Sequence, residues 1–362
     1  MADPTNSVPH DGDNAGDGAA GALLRRRTVL GAAALAAIGA GTYLGVSSYS
    51  SSPPPPPKAS PKPSPKPKPT PTPPKPTPLG NPLTGIGVAG RVLAAKIDNV
   101  GYPQFEQSGL NSASLVYVIQ VEGGLSRYLA VFDSNHAPAR VGPIRSARQT
   151  DIPLLAAYGR VGLAYSGAIY GLLRPLSRAN LQNITPADAM RLFSNGGSDP
   201  TYIRPHDVFA AYPHLAPAQD IGLHFGAAPP GGQPAAFVSV SMPSADFTFT
   251  ASRSQWLLAV DGHQAFTTDQ GRTSMDNVIL QHVHIKRGLY TDHNAGHPDN
   301  EAFSQTTGNG AADFYRDGRV WHGQWSKPTD TSPTAYTVGG APFPLRPGRT
   351  WIVLDPIEHE VP

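Results

Sequence analysis

Three short segments of this 362-residue chain gather side chains able to bind or move charge. In Val121-Glu122-Gly123-Gly124-Leu125-Ser126-Arg127, a carboxylate and a guanidinium flank two glycines, where backbone can come close to a ligand. A plainer reading is a hairpin whose Glu122 and Arg127 pair across the strands. In Val141–Arg148, Arg145 and Arg148 lie three apart with Ser146 between them, ahead of a segment expected to be helical. A helix starting near Ser146 or Thr150 would add its N-terminal amides to the two arginine forks, which suits carboxylate or phosphate. The alternative is two surface arginines paired with acids. In Tyr202-Ile203-Arg204-Pro205-His206-Asp207, His206 has the chemistry of a general acid or base oriented by Asp207 or another carboxylate. It also fits a structural loop histidine. Asp98-Asn99 and Ser166-Gly167 end apolar runs, where polar groups commonly line clefts.

These segments define a candidate ligand-binding set: Asp98, Asn99, Glu122, Arg127, Arg145, Ser146, Arg148, Arg204 and His206. No catalytic residue is assigned, because the spacing gives Ser166 no base. GxSxG, HExxH, the phosphate-binding loop and GxGxxG at a strand-to-helix turn are all missing. His282 and His284 lie two apart on one strand face, followed by Asp292, His293, His297, Asp299 and Glu301. That spacing matches no standard zinc site, so neither metal nor other cofactor is expected. Trp321, Trp325 and Trp351 are either sugar-stacking platforms or, more commonly, core residues.

The elements that must position these residues differ between two parts of the chain. Val92–Ile97, Leu115–Val121, Tyr128–Phe132 and Val161–Tyr165 are apolar or β-branched runs expected as strands, with Gly123-Gly124 as a turn. Asp151–Tyr158 and Thr185–Phe193 read as helices, the second with Thr185 as N-cap and Pro186 at its first position. After the loop at 226–234 the signals are β only: Phe237–Met242, Gln255–Val260, Val278–Ile285, Ala312–Tyr315 and Trp351–Leu354. Asp317-Gly318 marks a tight hairpin. The expected fold class is α+β, with a mixed α/β domain over 80–226 and a β-rich domain over 235–357.

The first 79 residues carry no such pattern. Residues 1–24 are polar and small and read as disordered. Residues 25–47 open with Arg25-Arg26-Arg27-Thr28-Val29-Leu30 and continue in an Ala/Gly-rich apolar run, the pattern of a twin-arginine signal. The run from Val29 to Val46 is just long enough to cross a bilayer, and the arginines ahead of it place its N-terminus in the cytoplasm. No clean small-x-small cleavage site follows, so a retained membrane anchor is expected. Residues 48–79 are a proline-lysine stalk whose polyproline II rod, at about 3.1 Å per residue, would reach roughly 80 Å. Its five lysines solvate a spacer or touch anionic wall polymer.

Composition narrows the function further. With no cysteine there is no disulfide framework, thiolate zinc site, cysteine nucleophile or lipid-modified cysteine. The net charge of +2 divides unevenly: residues 1–79 hold eight basic and four acidic side chains, and 80–362 hold twenty and twenty-two. The folded part is close to neutral, which argues against nucleic acid as a partner.

From Asn81 to Pro356 the chain resembles the YerB-like family of bacterial envelope lipoproteins, built from two adjacent domains of unknown function. The residues that carry the likeness are Asn81-Pro82-Leu83-Thr84-Gly85, Ile97-Asp98-Asn99, Gln107-Ser108-Gly109-Leu110, Val121–Gly124 with Arg127, Gly142–Arg148 and Arg204-Pro205-His206. In the second half they are Asn277–Gln281, Gly323-Gln324-Trp325 and Pro347–Trp351. The resemblance implies an extracytoplasmic, membrane-attached protein with an α+β first domain and a β-rich second one, and implies no activity. The chain departs from the family in lacking the lipidated cysteine, in Val118 where a glutamate is common, and in Asp207 where asparagine is common.

The expected function is an envelope binding module whose Arg127, Arg145, Arg148 and Arg204 hold an anionic group of a cell-wall polymer or peptide. Glu122, Asp98 and His206 are the polar partners. A hydrolase or transferase using Glu122 or Asp98 with His206, and a scaffold for an unidentified protein partner, are the alternatives.

Overall fold

The computed structural model describes residues 80–195, 201–292 and 298–359. The polar N-terminus, the twin-arginine segment and the stalk lie outside them, as do His293 and His297.

Alternation of apolar side chains along central strands produces two cores, one on each face of a thirteen-stranded sheet. Val92–Asp98 (β1), Leu115–Gln120 (β2) and Ser126–Asp133 (β3) are buried along their whole lengths. On β1, Leu93, Ala95 and Ile97 enter the first core, while Val92 and Ala94 enter the second. The second face is covered by Asp151–Leu155 (α1), which precedes the strand Val161–Ala164 (β4), and by Tyr170–Arg178 (α2), which connects β4 to the parallel strand Leu181–Ile184 (β5). Pro186–Ala189 (α3) and Pro205–Ala211 (α4) contribute to the first core. Thr185 caps α3 by accepting a hydrogen bond from Asp188 N, as Ser, Thr or Asp at this position does.

A five-stranded sheet lays Phe237–Met242 (β6), Ala245–Ser252 (β7) and Gln255–Val260 (β8) over the first core. Here the alternation is one-sided: Val238, Val240, Phe247, Phe249, Trp256 and Leu258 point inward. Phe249 and Tyr128 meet Trp351 edge-on, with ring centroids 6.3 and 5.1 Å away.

Asn277–Asp292 (β9) runs well past the apolar segment 278–285 and pairs with Asp299–Ser304 (β10) and Gly308–Arg316 (β11). The sheet continues through Arg319–Lys327 (β12) and Ala335–Val338 (β13). Arg316 faces Arg319 across a two-residue turn in which Asp317 and Gly318 have φ of 51° and 68°, the geometry anticipated for Asp-Gly. Thr350–His359 (β14) then inserts between β2 and β9, parallel to both. From β13 inward the order is β12, β11, β9, β14, β2, β3, β1, β4, β5. A mixed α/β part and a β-rich part with few helices are therefore joined edge to edge in one sheet. Long-range pairing, invisible to local periodicity, makes that junction.

Candidate functional site

The end of β1 is where most of the candidate residues come together. Asp98 N donates to Pro143 O, Arg145 N to Lys96 O, and Ser166 N to Arg145 O, at 2.9, 2.9 and 3.0 Å. These bonds lay the segment around Arg145 along β1 and bring the end of β4 beside it. Gly142 permits the approach: a Cβ there would sit 2.7 Å from the Tyr202 ring and 2.8 Å from Thr201 O. The turn between β2 and β3 supplies Glu122. Its Gly124, at φ 68°, lies so close to Pro243 that a Cβ would be 2.4 Å away.

The charged side chains of this region pair closely. Asp98, 2% exposed, takes Arg127 Nη1 on one oxygen at 3.3 Å and Arg145 Nε on the other at 2.9 Å. Arg148 donates from Nε and Nη2 to both oxygens of Glu122, a bidentate fork, and its Nε also lies 3.9 Å from Glu301. Glu122 and Arg127 thus do not pair with each other, contrary to the hairpin alternative. Lys96 and Asp151 form an ion pair at 2.6 Å with no exposure on either side chain. Asp151 also accepts from Arg148 N, three residues ahead of it, at 2.7 Å. The first amides of α1 are not open to an anion as expected, because Asp151 N, Ile152 N and Leu154 N donate to the backbone carbonyls of Arg148, Gln149 and Thr150.

Burial governs the protonation of these groups. It lowers the pKa of Lys96, opposed by the charge and hydrogen bond of Asp151. It lowers that of Arg127 in the same way, with Asp98 opposing. Burial pushes the Glu301 carboxyl up to about 7, with Arg148 working against it. Four cations (Lys96, Arg127, Arg145, Arg148) therefore meet four carboxyls (Asp98, Glu122, Asp151, Glu301). Each arginine of the group thus meets an acid. Arg145 is the one that reaches outward: its side chain is 48% exposed, against 8% for Arg127 and 6% for Arg148.

Arg204 and His206 are not part of this group. Arg204 stands at the N-cap of α4, its Nε bonded to Asp207 at 2.8 Å in an i,i+3 pair. His206 is 92% exposed and lies 3.7 Å from the same Asp207. Neither pairs with Asp98, Glu122 or another member of the cluster among the described residues. Asn99 turns to the opposite side from Asp98: its Nδ2 donates to Ser126 Oγ at 2.8 Å and its Oδ1 accepts from Gln107 Nε2 at 3.1 Å. Ser146 is half-buried beside Gly167.

The tryptophans are core residues: Trp321, Trp325 and Trp351 are 4%, 3% and 1% exposed. His282 sits between two carboxylates, its Nδ1 2.7 Å from Asp355 and its Nε2 3.3 Å from Asp313, while Asp313 also meets His322 at 2.6 Å. Hydrogen bonds donated to Asp313 and Asp355 raise the His282 pKa to about 9, against burial. His282 and His322 thus belong to a ladder of ion pairs across β12, β11, β9 and β14. Among the described residues no group of three or more His, Asp or Glu has the geometry to hold a metal. Sequence reasoning missed Lys96, Asp151 and the role of Glu301, because a charge inside a buried strand or at a helix start announces no partner.

Residues 83–221 match the family described as "Protein of unknown function (DUF3048) N-terminal domain", and residues 236–352 match its C-terminal domain. The chain belongs to this YerB-like family. It is similar to the Bacillus subtilis (strain 168) protein named "Putative lipoprotein YerB", 29% identical over 147 residues. That match spans 38% of this chain and 42% of the relative, less than half of either. The crystal structure of YerB from Bacillus subtilis shares the fold, with a TM-score of 0.63 at 20% identity over 77% of this chain and 97% of that one.

Several residues that carry the YerB-like resemblance hold the fold together. Asn81 donates to Asp133 at 2.7 Å, tying the entry segment to β3. Asn277 bonds Arg346 O, Arg346 N and Thr350, fastening β9 to the segment entering β14. Arg349 bonds Asn111 and Ser274. Val118, where the family commonly has a glutamate, is fully buried in the first core. Among the described residues no helix is long and apolar enough to cross a membrane.

Proposed function

We propose that this is an extracytoplasmic, membrane-attached envelope protein that holds an anionic group of a cell-wall polymer or peptide at Arg145. The envelope setting draws on the twin-arginine pattern of the sequence and on a relative whose name carries the word lipoprotein. The observation that carries the binding site is the state of Arg145. Asp98 fixes its Nε at 2.9 Å and half of the side chain reaches solvent, whereas Arg127 and Arg148 are buried. A guanidinium held at Nε presents its terminal amines in the fork that suits carboxylate or phosphate.

Arg127, Arg148, Glu122 and Asp98 act in this reading as the frame that aims Arg145. Arg204 and His206 belong elsewhere, and without His206 the hydrolase or transferase reading has no acid–base partner for Glu122 or Asp98. The test is co-sedimentation of the full-length chain, kept in detergent, with isolated cell walls before and after their anionic polymers are stripped. Polymer-dependent pelleting that falls about tenfold in Arg145→Ala, at unchanged circular dichroism, is the expected result. Pelleting that survives Arg145→Ala overturns the site. Pelleting absent under every condition turns the search toward a protein partner. Arg148→Ala is a poor probe, since it would leave Glu122 and Glu301 unpaired inside the protein.

A further inference from the structure

The residue after Asp98 leads to a second, differently built place. Asn99 lines a cleft between the segment that follows β1 and the one that follows β8, enclosing about 350 Å³, part of it open to solvent. The two walls are fastened to each other: Thr268 N donates to Gln107 O at 2.8 Å, and Gly109 N to Asp269 at 3.0 Å. Four carboxamides line it, from Asn99, Gln104, Gln107 and Gln264, together with the rings of Phe105 and Phe266. His263 stands edge-on to Phe105 with centroids 6.0 Å apart. No carboxylate, lysine or arginine is in the lining.

Three features of this cleft ask for an occupant. Gln104 Oε1 is buried and accepts no hydrogen bond among the described residues, a cost that a donor from a ligand would remove. Gln107 and Asn99, 1% and 3% exposed, are locked by Gln107 Nε2 donating to Asp98 O and Asn99 Oδ1, so the floor is rigid. Phe105 and Phe266 are 52% and 49% exposed at the rim, large apolar surface left to water. Arg272 lies over Phe266, its guanidinium carbon 5.3 Å from the ring centroid, and steadies that ring.

We infer that this cleft binds an uncharged pyranose unit of a glycan. A sugar ring has an apolar C–H face that packs on an aromatic ring, and hydroxyls at its edge that donate and accept. Carboxamides carry both donors and acceptors and so match hydroxyls in either sense. A lining without formal charge favours a neutral ring over the anionic group assigned to Arg145. The buried tryptophans cannot serve this purpose, and the half-exposed phenylalanines of the cleft can.

The test uses the full-length chain in detergent and chitotetraose, an uncharged oligosaccharide, as the probe, followed by saturation-transfer NMR. The expected result is transfer to the sugar ring protons, with affinity about tenfold weaker in Phe105→Ala and in Gln104→Leu. Phe237→Ala, which removes an exposed ring from β6 outside the cleft, is expected to leave it unchanged. No transfer to the sugar at millimolar probe overturns the inference. So does equal binding by wild type, Phe105→Ala and Gln104→Leu, and so does transfer to a neutral alanine tripeptide in place of the sugar. The probe carries no charge, so the outcome is independent of the wall-polymer reading of Arg145.

Discussion

Two polar places begin at consecutive residues, Asp98 and Asn99, and handle their hydrogen-bonding groups in opposite ways. On the Asp98 side, charges answer charges: Lys96 with Asp151, Arg127 and Arg145 with Asp98, Arg148 with Glu122 and Glu301. On the Asn99 side no carboxylate, lysine or arginine lines the cleft, and a buried acceptor on Gln104 stays unanswered. The first arrangement pairs its charges within the protein, although Asp98 Oδ1, Arg127 Nε and Glu301 Oε1 make no hydrogen bond there, and it exports one guanidinium. The second is open by construction. Residue type alone would rank them the other way, since a run of arginines draws the eye more than scattered glutamines.

The contrast can be broken hardest at Lys96. Lys96→Met leaves Asp151 ionised and unexposed without its partner, and is expected to cost about 3–5 kcal/mol in urea denaturation. Adding Asp151→Asn removes the orphaned charge while keeping an acceptor for Arg148 N, and should restore more than half of the loss. If the single change costs under about 1 kcal/mol, the cluster is not the tightly coupled unit described here.

Protonation gives the next largest effect. The folded pKa of Glu301, about 7, lies above its unfolded value of 4.5. The associated stability is therefore fully present below pH 4.5 and is lost as pH rises through 7, a change of about 2–3 kcal/mol. Glu301→Gln should flatten this dependence, as read from denaturation midpoints at pH 5 and pH 8.5. Gln104→Leu, which leaves Glu301 in place, should keep the wild-type dependence.

Smaller effects sharpen the difference in the other direction. Gln104→Leu removes a buried acceptor without a donor and should stabilise the free protein by about 1 kcal/mol while weakening sugar binding. Arg145→Ala deletes a half-exposed ion pair and should change stability by less than about 1 kcal/mol. Its effect belongs to wall retention instead. A stability loss several times larger would mean that Arg145 is part of the frame and not its outlet.

Much of the architecture could be read from the residues. Val92–Ile97, Leu115–Val121 and Gln255–Val260 are apolar or alternating runs with clear ends, and they form strands close to those limits. Asp317-Gly318 turns as its dipeptide dictates, and Thr185-Pro186 starts a helix. β7 went unread, although Phe247 and Phe249 alternate with threonines along it. So did α2, a short segment that Gly171 and Pro175 mark against helix although Leu172 and Leu176 share its buried face. Of the candidate site, Asp98 and Ser166 were legible as polar groups at the ends of strands, whereas the meeting of Arg127 and Arg145 at Asp98 was not. The pairing of Arg148 with Glu122 and of Lys96 with Asp151 was not, because partners 26 and 55 positions apart are chosen by the sheet. The cleft escaped notice for the same reason, as its walls come from opposite halves of the chain.

The position of β14 sets the order in which this molecule can be assembled. It is made after every other strand of the described region, yet it sits in the middle of the sheet, pairing Thr350 with both Leu115 and Asn277. Until it arrives, β2 and β9 each present a bare row of backbone donors and acceptors in the interior of an unfinished sheet, the kind of edge that recruits wrong partners. Contacts between such distant stretches close slowly. Loss of the last strand, by truncation or by cleavage ahead of residue 350, would therefore divide the sheet at its centre instead of trimming its margin.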